Sequence, residues 1–261
     1  MKNLIAPILT LLIFVSLTGC LNKGGGKKNS GSDADTSTVA DTGFTGIKQY
    51  FSKNFLTYEA EYKNGVRQGL MKTYYQSGKL RQTFWYVNGM REDTAIWYHE
   101  DGAIFRKTAF KRDSMNGMQI QYYKSGKVRA KLEYVDGQRK PYLEEWKEDG
   151  RKITDYPTVV IKTKDEYSLN GTYRINLELD KKDVKVTFYR GDYTDGLFVP
   201  GKLIKLNNKK STDNETTASL LLSKGSGAGP GYVGIIAEIN TTLGNKQLVY
   251  NKVTLPYSDL K

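Results

Sequence analysis

Aromatic residues and glycines recur through the first half of the chain with one fixed period. Glycines stand at Gly78, Gly102, Gly126 and Gly150, 24 residues apart each time. The residue four places before each is aromatic: Tyr74, Tyr98, Tyr122 and Trp146. A second turn signal keeps the same register at Asn64-Gly65, Asn88-Gly89, Arg112-Asp113 and Asp136-Gly137. Three residues before its second member the chain is again aromatic, at Tyr62, Tyr86, Phe110 and Tyr134. A repeated period in this range marks a repeat architecture, in which each copy buries its apolar face against its neighbours.

Asn-Gly and Asp-Gly pairs suit tight hairpins, because both central residues take positive φ. Turns then alternate every 11 to 13 residues, from Gly65 to Gly78 to Gly89, leaving room for one strand between them. Alternation along those strands places Leu80, Phe84 and Tyr86 on one face, with Ile104, Phe110, Val128, Leu132 and Tyr134. Arg81, Thr83, Lys107, Arg129 and Lys131 fall on the other. The expectation is an antiparallel meander with one apolar, aromatic face and one basic face.

From Thr158 the period is lost. Seven strands are predicted, over 158–163, 171–179, 184–189, 202–206, 218–222, 232–239 and 247–255. Tyr173, Ile175, Leu177 and Leu179 alternate with polar residues, as do Val233, Ile235, Ala237 and Ile239. Short strands joined by polar turns suggest a β-sandwich of immunoglobulin-like type, by pattern alone. The fold class expected is all-β: a meander of 24-residue repeats followed by a sandwich. The repeat module is set at 47–154 and the sandwich at 155–261, with Asp155-Tyr156-Pro157 at the boundary.

The N-terminus has a different pattern. Lys2 precedes an uncharged apolar run from Leu4 to Leu17, too short for a comfortable span of about 20 residues. Such a run between a positive start and small residues reads as a secretory signal. Leu17-Thr18-Gly19-Cys20 resembles the lipobox of bacterial lipoproteins. That resemblance implies cleavage after residue 19, lipid on Cys20, and a membrane partner reached through that lipid. Cys20 is the single cysteine of the chain. Residues 20–46, rich in Gly, Ser and Lys, read as a flexible tether. The expected location is the cell envelope, at the outer membrane if the host is diderm; Leu21 after the cysteine does not carry the aspartate retention signal of some such bacteria.

Charge changes the picture modestly. With 40 Lys and Arg against 28 Asp and Glu, the net charge is +12, which permits contact with anionic lipids or envelope polymers. An exported chain rarely meets nucleic acid, so none is expected as a partner.

Within the repeats, Tyr62-Lys63-Asn64-Gly65, Gly69 and Tyr74-Tyr75-Gln76-Ser77-Gly78-Lys79-Leu80 resemble the MORN-repeat variant of bacterial proteins. Tyr122-Tyr123-Lys124-Ser125-Gly126-Lys127-Val128 matches equally. The resemblance spans about residues 56–153. Copies depart from it where Asp93 and Pro141 replace the glycine of Gly69 and Gly117, and where Asp113 replaces a turn glycine. It implies an elongated module for binding or scaffolding. Many bacterial members carry an antitoxin label, which conflicts with export.

Chemistry is sparse. His99 is the one histidine, without a residue nearby in sequence to orient it for catalysis. Glu144-Glu145 and similar acidic neighbours face opposite ways on a strand. No metal-ligand spacing is found, and no cofactor is expected. Gly225–Gly231 lacks the Lys-Ser/Thr ending of a phosphate-binding loop. The ladder Tyr74, Tyr98, Tyr122 and Trp146 reads as cross-strand core. Tyr75, Trp97, His99 and Tyr123, on the other face with Arg81, Lys107, Arg129 and Lys131, are the candidate contact residues, being types enriched at interfaces. The expected function is non-enzymatic: a membrane-anchored binding or scaffold protein for an envelope protein or polymer. The alternative is an immunity-type antitoxin neutralising a toxin.

Overall fold

The computed structural model describes residues 43–210 and 216–261. Cys20, the leader and most of segment 20–46 lie outside the described residues. The first nine strands make one antiparallel sheet in which each strand pairs with the next along the chain. They are β1 (Gly46–Ser52), β2 (Phe55–Lys63), β3 (Val66–Tyr74), β4 (Leu80–Val87), β5 (Met90–Tyr98), β6 (Ile104–Lys111), β7 (Ser114–Tyr122), β8 (Val128–Val135) and β9 (Gln138–Glu145). The expected meander is therefore present, and its turns fall at the two predicted registers. Arg112 and Asp113 adopt φ of 47° and 66°, so this hairpin keeps the geometry of its Asn-Gly counterparts without a glycine.

A one-residue bulge breaks the expected alternation in three of the four copies. Thr73 pairs with Gln82, yet Tyr74 pairs with Leu80, so Arg81 is an extra residue. Phe105 and Arg129 are extra in the same way. A one-residue bulge transfers every residue beyond it to the other face. Leu80, Ile104 and Val128 therefore lie opposite Phe84, Phe110 and Leu132. A second irregularity recurs at Gly69 and Gly117, with φ of 103° and 109°. A Cβ on Gly69 would stand 2.1 Å from Glu61 Oε2, so the side chain is excluded there. Asp93 occupies the same register at φ 61°.

One face of this sheet is consistently the more buried. Ala60, Tyr86, Ala95, Trp97, Thr108, Gln119, Ala130, Leu132 and Glu145 all lie on it. Arginines cover its aromatics: Arg67 lies 5.5 Å from the Tyr86 ring and Arg91 4.5 Å from Phe110. On the opposite face Ile47, Phe51, Val66, Trp85 and Met90 are exposed.

Residues 153–158 lead to eight further strands among the described residues: β10 (Val159–Glu166), β11 (Thr172–Leu179), β12 (Val186–Arg190), β13 (Ile204–Lys205), β14 (Asn208–Lys210), β15 (Thr216–Ser223), β16 (Tyr232–Asn240) and β17 (Lys246–Thr254). They form two four-stranded antiparallel sheets, ordered β10-β11-β15-β14 and β13-β12-β16-β17. Ile175, Leu177 and Leu222 from the first meet Phe188, Ile235 and Ile239 from the second in one core. This is a sandwich. It has one strand more than expected, because β14 is short and carries no apolar pattern. Central strand β16 is buried on both faces: beside the main core, its Ile236 packs with Phe198 and Leu248 in a second cluster. The glycine-rich loop is tied down by the C-terminus. Gly225 N donates to Asp259 O (2.9 Å), and Gly229 N donates to Ser258 O.

The sandwich packs on the buried face of the repeat sheet at its C-terminal end. The loop joining β16 and β17 supplies several of the contacts. Glu145, fully buried, accepts from Thr241 Oγ1 (2.8 Å) and Asn245 Nδ2 (2.7 Å) through the same oxygen. Gln121 Nε2 donates to Asn245 Oδ1 (2.7 Å), and Arg129 Nη2 donates to Leu243 O (2.5 Å). Phe198 N donates to Arg139 O, joining the modules by backbone.

Candidate functional site

Three equivalent positions follow strands β3, β5 and β7: Tyr75, His99 and Tyr123. Each begins a turn whose glycine amide bonds back to it, as Gly78 N does to Tyr75 O. The bulges described above give each a partner. Arg81 lies 5.9 Å from the Tyr75 ring, Phe105 5.0 Å from the His99 ring, and Arg129 6.0 Å from the Tyr123 ring. The tyrosines also reach across to the next copy. Tyr75 OH donates to Tyr98 O and Tyr123 OH to Trp146 O, both at 2.7 Å. His99 makes no such bond among the described residues.

Between the second and third of these positions lies an open pocket of about 440 Å³. His99, Phe105 and Tyr123 give it ring walls, and Arg106 and Arg129 give it guanidinium groups. The His99 and Phe105 rings are tilted by 44°. Arg106 stacks 4.0 Å over Trp97 and has its Nε buried without a hydrogen-bond partner. Burial pushes its guanidinium down from the ordinary value. Among the described residues neither arginine has a carboxylate partner. Arg129 is instead held by neutral groups, Gln121 Oε1 at 3.2 Å and Leu243 O. Lys124 at the rim faces Asp101 at 3.3 Å.

The pocket exists because the copies differ. At the register of Gln121 the preceding copy has Trp97, which is 9% exposed and packed edge-on against Phe84 at 5.6 Å. At the register of Arg106 the other copies carry Gln82 and Ala130. A bulky ring is thus replaced by an amide, and a neutral residue by a cation, at one place in the sheet.

The eight candidate contact residues do not share one face. Tyr75 and Arg81 form one pair, while His99, Tyr123 and Arg129 line the pocket. Trp97 is buried beneath Arg106, so its expected exposure is corrected. Lys107 and Lys131 lie on the opposite face, 5.9 Å and 5.4 Å from the Tyr122 and Trp146 rings. The ladder is corrected too: Tyr74, Tyr98, Tyr122 and Trp146 are half-buried on that less buried face rather than in a core. Tyr74 OH there donates to Glu59 Oε1 (2.8 Å), a bond that holds the Glu59 carboxyl below its usual range. The bulges cause both corrections, because they break the parity from which the faces were inferred. Phe105, Arg106 and Gln121 were missed. Their signal was departure from the repeat, not conformity to it.

No curated protein matches the chain. The family of the MORN repeat variant matches residues 67–88 and 115–136, which are the hairpins β3–β4 and β7–β8 with their intervening turns. The chain thus carries MORN-variant repeats at these two places, and repeats of this kind point in general terms to binding or scaffolding.

Proposed function

We propose that the chain is a non-enzymatic binding module of the cell envelope, held at a membrane by lipid on Cys20. One observation carries the binding reading. The pocket combines aromatic lining residues with two guanidinium groups that have no carboxylate partner among the described residues, which is the chemistry of recognition. The sandwich supports the same reading, since its β16–β17 loop fixes Gln121 and Arg129 at the pocket wall. Its strand order fits an immunoglobulin-like module, with the first, second, fifth and sixth strands in one sheet and the remainder in the other. Anchoring is supported by the sequence Leu17-Thr18-Gly19-Cys20.

The test is crosslinking in intact cells, followed by purification of the tagged chain from membranes. The expected result is acyl-labelled protein in the membrane fraction with an envelope protein or polymer attached. Cys20→Ala is expected to lose the label and release the chain. Continued membrane retention by that variant would remove the anchor. Capture of a single stoichiometric toxin would replace the scaffold role with immunity, and turnover lost in His99→Ala would replace it with catalysis.

A further inference from the structure

We infer that the pocket between the second and third repeats takes an acidic sugar, with its ring against the aromatic walls and its carboxylate on Arg106. This rests on the binding reading and names the ligand class. Arg106 is half-buried, backed by the Trp97 ring, and unpaired with any carboxylate among the described residues. A guanidinium in that setting matches a carboxylate in shape and charge, and gains from one more than a hydrated surface lysine would. The walls add a second requirement. His99, Phe105 and Tyr123 line an open volume of about 440 Å³, within the range of small-ligand sites, roughly 300–1,000 Å³. They favour a ligand presenting C–H faces beside its charge.

An acidic peptide fits less well. Peptide capture on a sheet relies on free backbone groups at an edge. Here the flanking turns use their own backbone: His99 N donates to Ala103 O (2.7 Å) and Tyr123 N to Lys127 O (2.9 Å), while Gly102 N and Gly126 N bond back to His99 O and Tyr123 O. Recognition falls to rings and charge. The net charge of +12 adds long-range attraction for a polyanion.

The experiment is calorimetric titration of the full chain with a galacturonate trimer, its methyl-esterified form and a glutamate oligomer. The free acid is expected to bind. Esterification and Arg106→Gln are each expected to weaken binding by about ten-fold, the scale of one charge-assisted hydrogen bond. Glutamine is tolerated at this register, where the preceding copy has Gln82, so a thermal midpoint close to the parent's is expected and checks the fold. The glutamate oligomer is expected to bind at least about ten-fold more weakly than the uronate. No binding of the free acid, equal binding of the ester or the peptide, or an unaffected Arg106→Gln would each overturn the assignment. Envelope partners captured by crosslinking without uronate affinity would leave the binding role standing and remove this ligand alone.

Discussion

Glu145 accepts two of the bonds that join the two modules, and Glu145→Leu removes both without leaving a void. Its Oε1 accepts from Asn245 Nδ2 at 2.7 Å and from Thr241 Oγ1 at 2.8 Å. Asn245 is 8% exposed, so its amide loses a partner that water replaces poorly, at about 1–3 kcal/mol. Thr241 is half-exposed and costs less, about 0.5–1.5 kcal/mol. The sum is about 3 kcal/mol, or about 6–12 °C in the thermal midpoint for a chain of this size. Glu145→Gln keeps an acceptor and is expected to cost about 1 kcal/mol. The three tryptophans, Trp85, Trp97 and Trp146, all belong to the repeat module. Fluorescence therefore follows that module, while circular dichroism follows both. In Glu145→Leu the two melting curves are expected to separate. A second readout is Tyr156, whose phenol is pushed up by burial and then by the Glu145 carboxyl. Its titration is expected to move back toward the ordinary value. A loss under about 1 kcal/mol, or a glutamine as damaging as leucine, would refute this account of the junction.

Three further outcomes follow from local geometry. Arg112 holds φ 47° in a hairpin that asparagine adopts more readily, so Arg112→Asn is expected to stabilise by about 0.5–1 kcal/mol in denaturant titration; a loss would show that the arginine side chain matters to the turn. Phe188 is fully buried between the sandwich sheets, and Phe188→Ala is expected to cost about 3–5 kcal/mol by circular dichroism, with tryptophan fluorescence responding less. Alkaline pH is expected to destabilise the fold. Burial and the bond to Glu59 push Tyr74 to about 12, burial pushes Tyr193 to about 12, and the bond to Asp192 pushes Tyr250 to about 12. Unfolded phenols ionise near 10, so this stability is complete below about pH 10 and is lost as pH rises through about 12. A thermal midpoint that is flat from pH 10 to 12 would count against it.

The repeat was legible because its turns are chemically explicit: Asn64-Gly65 and Ser77-Gly78 announce themselves wherever they recur. The sandwich strands were legible for a similar reason, since Tyr173, Ile175 and Leu177 alternate cleanly and do face the core. The faces of the repeat sheet were not. Arg81, Phe105 and Arg129 look like ordinary strand residues, and a bulge depends on how the partner strand pairs rather than on the bulged residue. Trp97 was misplaced by that parity error. Arg106 was overlooked because attention to the repeat favours residues that recur. Glu145 read as half of an acidic pair whose members face opposite ways on a strand, and only the β16–β17 loop, about 100 residues onward, gives it a buried role.

The missing bond at His99 bears on how the molecule carries force. Tyr75 and Tyr123 each stitch one copy to the next through a phenol and a carbonyl 23 residues away. At the second copy that stitch is absent among the described residues, and the pocket opens beside the gap. Under tension applied along the chain, strand pairs that lack the extra bond yield first. The seam between the second and third copies keeps instead the exposed Asp101–Lys124 ion pair (3.3 Å), a weak tie, and is expected to be the compliant element of the sheet. A ligand spanning from Arg106 to Tyr123 would bridge it and make the module stiffer when occupied than when empty.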